Sequence, residues 1–303
     1  MILSDWPGNK TLVFSRYSFG RKGVHGKCAD VLRVLHLSDL QGASFGEANS
    51  DLIRKVSDAK PHLIVFTGDL VDRRMQVDKD FGANIEFMSN LKKIAPTFFS
   101  YGNHELAFSS SAVDGLREKL EDAGVIVLDG NSYIQEIQIS ESMNNEKQYN
   151  ENLDSETSKI CKTRVLLTGF PERLLIVKGK NRTKKNSDVD LEAVRCVIDG
   201  MKQKRRDSQH DISILLAHEP QFIKEYSVAG YDYIFSGHAH GGQIRLPFLG
   251  GLFSPGQGVF PKYTSGVHDA DDGKMIVSRG LGNSSFPIRV FNRPEIVLAE
   301  IQI

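Results

Sequence analysis

"VLRVLHLSDLQ", residues 31–41, is an almost unbroken apolar run that stops at Asp39. A run this short and continuous suits a strand buried on both faces, because a strand with one wet face alternates apolar and polar residues. The same form recurs in "HLIVFTGD" (62–69), "APTFFSYGN" (95–103) and "GVIVLD" (124–129). Stretches of helical period separate these runs, at 47–59, 83–94 and 111–123. The rhythm predicts β-α-β units, with helices outside a mostly parallel or mixed sheet.

Farther along the chain the pattern changes. "SYIQEIQIS" (132–140) alternates with period two, a polar stretch follows, and "TRVLLTGF" (163–170) resumes as a strand, so a hairpin with a long connection is expected. A second polar stretch, "KGKNRTKKNSDVD" (178–190), runs into a helical segment at 189–204. The strands "DISILLAHE" (211–219) and "YDYIFSGHAHGG" (231–242) come next, then a glycine- and proline-rich segment at 246–266 and strands at 274–279 and 294–302. With no internal repeat and no clear linker, the expected organisation is a single domain over 31–303. Polar insertions interrupt it near 140–160 and 178–190, and residues 1–30 form an N-terminal extension or strand packed on it.

A chain of 303 residues, 40% hydrophobic, can bury a sizeable core. Its 38 basic residues balance 38 acidic ones, so it lacks the bulk positive field that non-specific nucleic-acid binding needs. The basic "KQKRR" (202–206) suits a helix C-terminus with a solvated face. Cys28, Cys161 and Cys196 are scattered and form no disulfide framework or metal knuckle, which leads us to expect buried thiols in a reducing, cytoplasmic setting. No apolar run reaches the length of a signal peptide or membrane span, so a soluble chain is expected, with peripheral membrane contact left open.

The chemistry gathers where the apolar strands stop. Five ends carry a polar signature: "SDLQ" (38–41), "GDLVD" (68–72), "GNHE" (102–105), "AHE" (217–219) and "GHAHGG" (237–242). In open α/β sheets ligands bind beyond the carboxyl ends of strands, so these ends can converge. They offer Asp39, Gln41, Asp69, Asn103, His104, His218, His238 and His240. Carboxylate, amide oxygen and imidazole are ligands for divalent Mn, Zn or Fe, whereas a structural zinc site would use thiolates. Two such ions about 3.5 to 4 Å apart clamp both oxygens of a phosphoryl displacement. Asp69 is the natural bridging carboxylate.

In this order the five blocks resemble the calcineurin-like metallophosphoesterase family, and the similarity spans roughly residues 30–303. The blocks "GHAHGGQIRLPFLGGLFSPGQG" and "SRGLGNSSFPIRVFNRPEIVL" further resemble its bacterial phosphodiesterase branch. The resemblance implies an α/β fold, a four-layer α-β-β-α sandwich with two mixed β-sheets flanked by helices. It implies two divalent metal ions, with Asp39, Gln41, Asp69 and His240 at the first and Asp69, Asn103, His218 and His238 at the second. His104 would act as acid or charge stabiliser, and a hydroxide held by the metals would be the nucleophile attacking a phosphate ester.

Gln41 departs from the pattern, which has histidine there. A neutral amide oxygen binds borderline metals more weakly than imidazole and suits harder ions, which favours Mn over Zn. Asp72 is read as supporting a ligand histidine, and Arg73 and Arg74 as candidate phosphate contacts. Glu105 and Glu219 are read as caps or supports, and His25, His36, His62, His210 and His268 as non-catalytic, with His25, His210 and His268 in loops. Phe45, Leu106, Phe108, Phe248, Leu252, Phe253, Phe260 and Tyr263 lie near the signature loops as a possible apolar rim. The leading expectation is hydrolysis of phosphodiesters, and also monoesters. The alternatives are a metal-binding scaffold of the same fold that has lost catalysis, or a nuclease.

Overall fold

The computed structural model describes residues 7–20, 31–74, 81–140, 160–176, 189–246, 249–283 and 288–303. His25, Cys28, Phe248 and most of the two polar insertions lie outside the described residues. The first half runs α1 (Pro7–Lys10), β1 (Val13–Phe19), β2 (Val31–Leu37), α2 (Ser50–Asp58), β3 (Leu63–Thr67), α3 (Phe81–Ile94), β4 (Thr97–Ser100), α4 (Ser110–Asp122) and β5 (Ile126–Leu128). The chain continues through β6 (Ser132–Ser140), β7 (Ile160–Gly169), α5 (Leu191–Asp207), β8 (Ile212–Leu216), α6 (Ile223–Val228) and β9 (Tyr233–Ser236). Short strands follow at β10 (Arg245–Leu246), β11 (Gly250–Gly251), β12 (Phe253–Ser254) and β13 (Gly258–Val259). The last three are β14 (Gly266–Ala270), β15 (Gly273–Val277) and β16 (Glu295–Gln302).

These strands form two six-stranded sheets, ordered β1-β16-β2-β3-β4-β5 and β14-β15-β9-β8-β7-β6. Both are mixed. In the first only the β16–β2 pair is antiparallel, with Val297 opposite His36, and in the second the antiparallel pairs are β14–β15 and β6–β7. The sequence explains the layering through period two. Leu32, Val34, Leu63, Val65 and Phe98 of the first sheet meet Leu167, Ile214, Leu216 and Phe235 of the second in an interior between the sheets. The alternate residues Leu35, Leu37, Ile64, Phe66 and Phe99 face the other way, onto α2, α3 and α4. Leu166, Leu215, Ile234 and Met275 likewise face α5 and α6. A strand buried on both faces must be apolar at every position, which is why these runs are continuous.

Helices α2, α3, α4 and α5 fall within two or three residues of the stretches with helical period, and Asp190 Oδ1 caps α5 by accepting from the Glu192 and Ala193 amides at 3.1 and 3.0 Å. The glycine- and proline-rich segment is not merely a loop, since it forms the ribbons β10–β11 and β12–β13. Two expectations are corrected. His268 lies in β14 rather than a loop, paired with Met275, and of the described cysteines Cys196 is exposed on α5 and Cys161 half-buried in β7 rather than buried. Among the described residues no helix is long and apolar enough to cross a membrane.

Candidate metal centre

The carboxyl ends of β2, β3 and β4 from one sheet and of β8 and β9 from the other open onto a common site. Their loops are stitched together by the backbone: the Asp39 amide donates to the Gly68 carbonyl at 3.0 Å, and the Gln41 amide to the Asp69 carbonyl at 3.1 Å. Such close approach depends on Gly68, where a Cβ would stand 2.3 Å from the Gly102 nitrogen and φ is +75°. Five of the eight candidate residues hold left-handed backbone, at Asp39 (φ 55°), Gln41 (44°), Asp69 (56°), His238 (62°) and His240 (45°). Strained backbone of this kind concentrates at functional sites because the surroundings must impose it.

Seven of the eight candidates converge, and Asn103 lies in the chain between Gly102 and His104, whose amides bond Glu105 and Asp69. The ligand atoms of Asp69, His218 and His238 lie within 4.8 Å of one another, as do those of Asp39, Asp69 and His240, so Asp69 is common to both groups. His218 Nε2 is 3.4 Å from Asp69 Oδ2, and His240 Nε2 is 3.4 Å from Asp39 Oδ1. Gln41 Nε2 donates to Asp69 Oδ2 at 2.7 Å. The rings are oriented from behind: His218 Nδ1 faces the Thr67 carbonyl at 2.6 Å and His240 Nδ1 the Gly282 carbonyl at 3.3 Å. A carbonyl only accepts, so in each case Nδ1 carries a proton; on His240 this leaves Nε2 with its lone pair toward the site, while on His218 a cation would have to displace the Nε2 proton that faces Asp69.

Two carboxylates orient the loops that carry these groups. Glu105 is fully buried and accepts from the Asp69 and Gly102 amides through Oε2, at 2.9 and 2.8 Å, and from the Val71 amide through Oε1 at 3.1 Å. Glu172 accepts from the His218 amide. Sequence reasoning missed Glu172, although "GFPE" after β7 is a sixth strand end of the same polar type. It also missed Asn292, whose Nδ2 donates to the His240 carbonyl at 2.7 Å, and the buried Arg289, which donates to the Gly282 and Arg279 carbonyls. Both lie in the block "FPIRVFNRPEIVL", which carried family likeness but none of the five polar strand-end signatures.

Burial governs the electrostatics. It pushes the Asp39 carboxyl up to about 7. Burial would also raise Asp69, but His218 and His104 outweigh it and hold that carboxyl well below the usual range. Conversely, burial would lower His218, yet Asp69 holds it well above an ordinary imidazole. Burial, with Arg289 beside it, takes His240 down to about 3, and burial with His218 takes His238 well below its ordinary value. The site's carboxylates thus draw positive charge, while His238 and His240 stay neutral and able to ligate.

The residues fit divalent cations on grounds independent of any relative. Gln41 Oε1 and Asn103 Oδ1 are buried oxygens with no hydrogen-bond partner, a costly arrangement that a cation would relieve. Around them stand two carboxylates and three imidazoles, a donor set suited to Mn, Zn or Fe.

His104 plays another part. The Arg73 amide donates to His104 Nδ1 at 3.3 Å, so that nitrogen is the acceptor and Nε2 carries the proton, 3.9 Å from Asp69 Oδ2. Burial lowers its pKa, which keeps it neutral. Asp72 Oδ1 stands 3.7 Å from the same Nδ1, and Asp72 is locked to Arg74 through contacts that include Arg74 Nε to Oδ1 at 3.0 Å. Arg74 is therefore engaged with Asp72, while the Arg73 side chain is exposed beside His104. Of the expected apolar rim, Phe45 and Leu106 are core residues, Phe108, Leu252 and Tyr263 are half-buried, and Phe253 and Phe260 are exposed.

Residues 32–242 match the family model described as calcineurin-like phosphoesterase. The chain is 27% identical over 273 residues to the uncharacterized metallophosphoesterase YkoQ of Bacillus subtilis, covering 89% of this chain and 83% of the relative. It is 26% identical over 297 residues to the phosphodiesterase YaeI of Escherichia coli, covering 97% of this chain and 89% of that one. Among solved structures it aligns with the protein TT1561 of Thermus thermophilus at a TM-score of 0.49 and 9% identity, covering 83% of this chain and 90% of the other. With the family match spanning most of the chain, the protein belongs to the calcineurin-like phosphoesterase family and is a hydrolase of phosphoric esters.

Proposed function

We propose that the chain hydrolyses phosphodiesters, and monoesters less readily, with two divalent cations. Asp39, Gln41, Asp69 and His240 would hold one, and Asp69, Asn103, His218 and His238 the other. The observation that supports this reading is that two groups of potential ligands share the buried Asp69, as a carboxylate serving two cations would require. When bound, such a pair supplies a nucleophile near neutral pH and neutralises charge on the phosphoryl oxygens. The name of the relative YaeI supports the diester preference, and the amide oxygens of Gln41 and Asn103 favour Mn.

The chain's own residues do the rest. Asp69 is held on one side by the His104 amide, which donates to its Oδ1 at 2.9 Å, and behind by Glu105 through the Asp69 amide. Thr67 and Gly282 fix the ring orientations of His218 and His240, so Nε2 of each points inward before any ligand arrives, with a lone pair at His240 and a proton for a cation to displace at His218. His104 presents its Nε2 proton to the ester, either to the leaving oxygen or to a phosphoryl oxygen as charge builds. Arg73, exposed beside it, would meet a substrate phosphate.

Metal-stripped protein reconstituted with Mn is expected to hydrolyse a chromogenic phosphodiester faster than the matching monoester, and to stop when chelator is added. Two bound ions with turnover of neither ester would overturn the reading in favour of a non-hydrolysing scaffold.

A further inference from the structure

The site opens beside a surface whose composition sets it apart. Residues 241–268 contain no Asp or Glu, and neither do residues 273–294, in a chain with 38 acidic residues. Both segments carry positive charge, Arg245 and Lys262 in the first and Arg279, Arg289 and Arg293 in the second, whereas Lys274, at the far end of β15, is paired with Asp269. They are joined in space. Ile244 bridges Val290, and the Arg245 amide donates to the Val290 carbonyl at 3.0 Å. They are also fastened to the metal-site loop, since the Leu252 amide donates to the Gly242 carbonyl at 3.2 Å and Asn292 holds the His240 carbonyl.

This surface displays apolar side chains outward. Leu249 is 66% exposed, Val259 64%, Phe260 60% and Phe291 78%. Phe253, also exposed, faces Val259 across the β12–β13 ribbon. The display is imposed rather than incidental: Phe260 and Phe291 hold φ at 52° and 51°, a left-handed conformation that bulky residues seldom adopt. Exposed Lys262 and Arg293 flank the two phenylalanines. Next to Phe291, Arg279, Arg289 and Arg293 line a cavity of about 430 Å³ with no acidic lining residue, although Arg279 also pairs with Glu295.

We propose that this lip docks on an anionic lipid bilayer, with Leu249, Val259, Phe260 and Phe291 entering the headgroup boundary while Lys262 and Arg293 face lipid phosphates. Apolar tips set among basic residues are the composition that binds such interfaces, where apolar burial and attraction to anionic headgroups add. A second copy of the chain fits worse. A two-fold interface would set the basic side chains of this surface against their own copies, cation to cation. Docking would hold the metal-site mouth at headgroup level, which makes a lipid-borne phosphoester the matching substrate class. Only that last step rests on the proposed hydrolysis.

Sedimentation with vesicles tests it. Wild type is expected to pellet with phosphatidylcholine vesicles containing phosphatidylglycerol and to stay in the supernatant with phosphatidylcholine alone. The double variant Phe260→Ser/Phe291→Ser should lose at least tenfold in partition. Lys262→Gln/Arg293→Gln should lose about thirtyfold, from about one unit of surface attraction per charge. Both variants should keep wild-type metal content and wild-type hydrolysis of a soluble ester, which shows that they are folded. Equal binding to neutral and anionic vesicles, no binding to either, or unchanged partition of the variants would overturn the proposal. So would a wild-type dimer that the phenylalanine variant dissolves. Partition needs no turnover, so an inactive protein that still pellets leaves the docking intact, and an active one that does not pellet leaves the hydrolysis intact.

Discussion

At His104 the direction of one hydrogen bond assigns a proton, because the Arg73 amide can only donate to Nδ1 and so leaves the hydrogen on Nε2, facing the site. His104→Ala should therefore lower kcat by about 10² to 10⁴, the usual range for losing a positioned proton donor, with the same metal content by atomic absorption. A loss of metal together with activity would instead make His104 a ligand. Gln41 poses the complementary case. Its side chain reaches Asp69, and its oxygen is buried without a partner, so it has the place of a ligand with a weaker donor than imidazole. Titration calorimetry on metal-stripped protein should find tighter binding at the first site in Gln41→His than in wild type, more for Zn than for Mn. Equal or weaker binding in the variant would count against a ligand role for Gln41.

At the scale of elements, the site is a set of strand ends, and its precision comes from how closely the loops touch. Gly68→Ala would drive a Cβ into the Gly102 nitrogen and place alanine at φ +75°. The left-handed backbone costs about 1 to 2 kcal/mol and the overlap about as much again, so the urea unfolding midpoint should fall by the equivalent of about 3 kcal/mol, with weakened metal binding. An unchanged midpoint would mean that the β3 and β4 loops are not pinned there. Elements were also what the sequence disclosed best. Continuous runs such as 62–67, too short for a helix and bounded by Pro61 and Gly68, read as strands buried on both faces, and the Gly-Asp, Gly-Asn-His and Gly-His-Ala-His ends suggest a turn with ligands on it. What stayed hidden was support that depends on distant partners. Nothing local tells that Glu105 gathers three amides, that Glu172 braces a histidine 46 residues away, or that Arg289 packs against the loop carrying Gly282. The short β10–β13 ribbons were hidden for another reason. Two-residue strands have no periodicity to read.

At the scale of the molecule, His36 stands where the two sheets meet, its ring edge-on to Phe235 of the other sheet and its Nε2 2.7 Å from Thr67 Oγ1. Burial lowers its pKa from 6.5 to about 3. Between those values the unfolded chain takes up a proton that the folded chain refuses. Its contribution to stability is therefore complete above pH 6.5 and lost as pH falls toward 3. The slope is up to about 1.4 kcal/mol per pH unit. Urea midpoints of metal-free wild type should fall more steeply on acidification than those of His36→Leu, and parallel curves would show that His36 accepts its proton in the folded state. The strand order reaches further, into the making of the molecule. On a ribosome, Asp39, Asp69 and Asn103 emerge long before His218, His238 and His240, and β16, which separates β1 from β2 in the finished sheet, emerges later still. A nascent chain therefore carries its carboxylates without their imidazoles and leaves the β2 edge unpaired. That edge is the part of the growing chain in need of protection, and the candidate site can be complete only after the loop that follows β9 has been made.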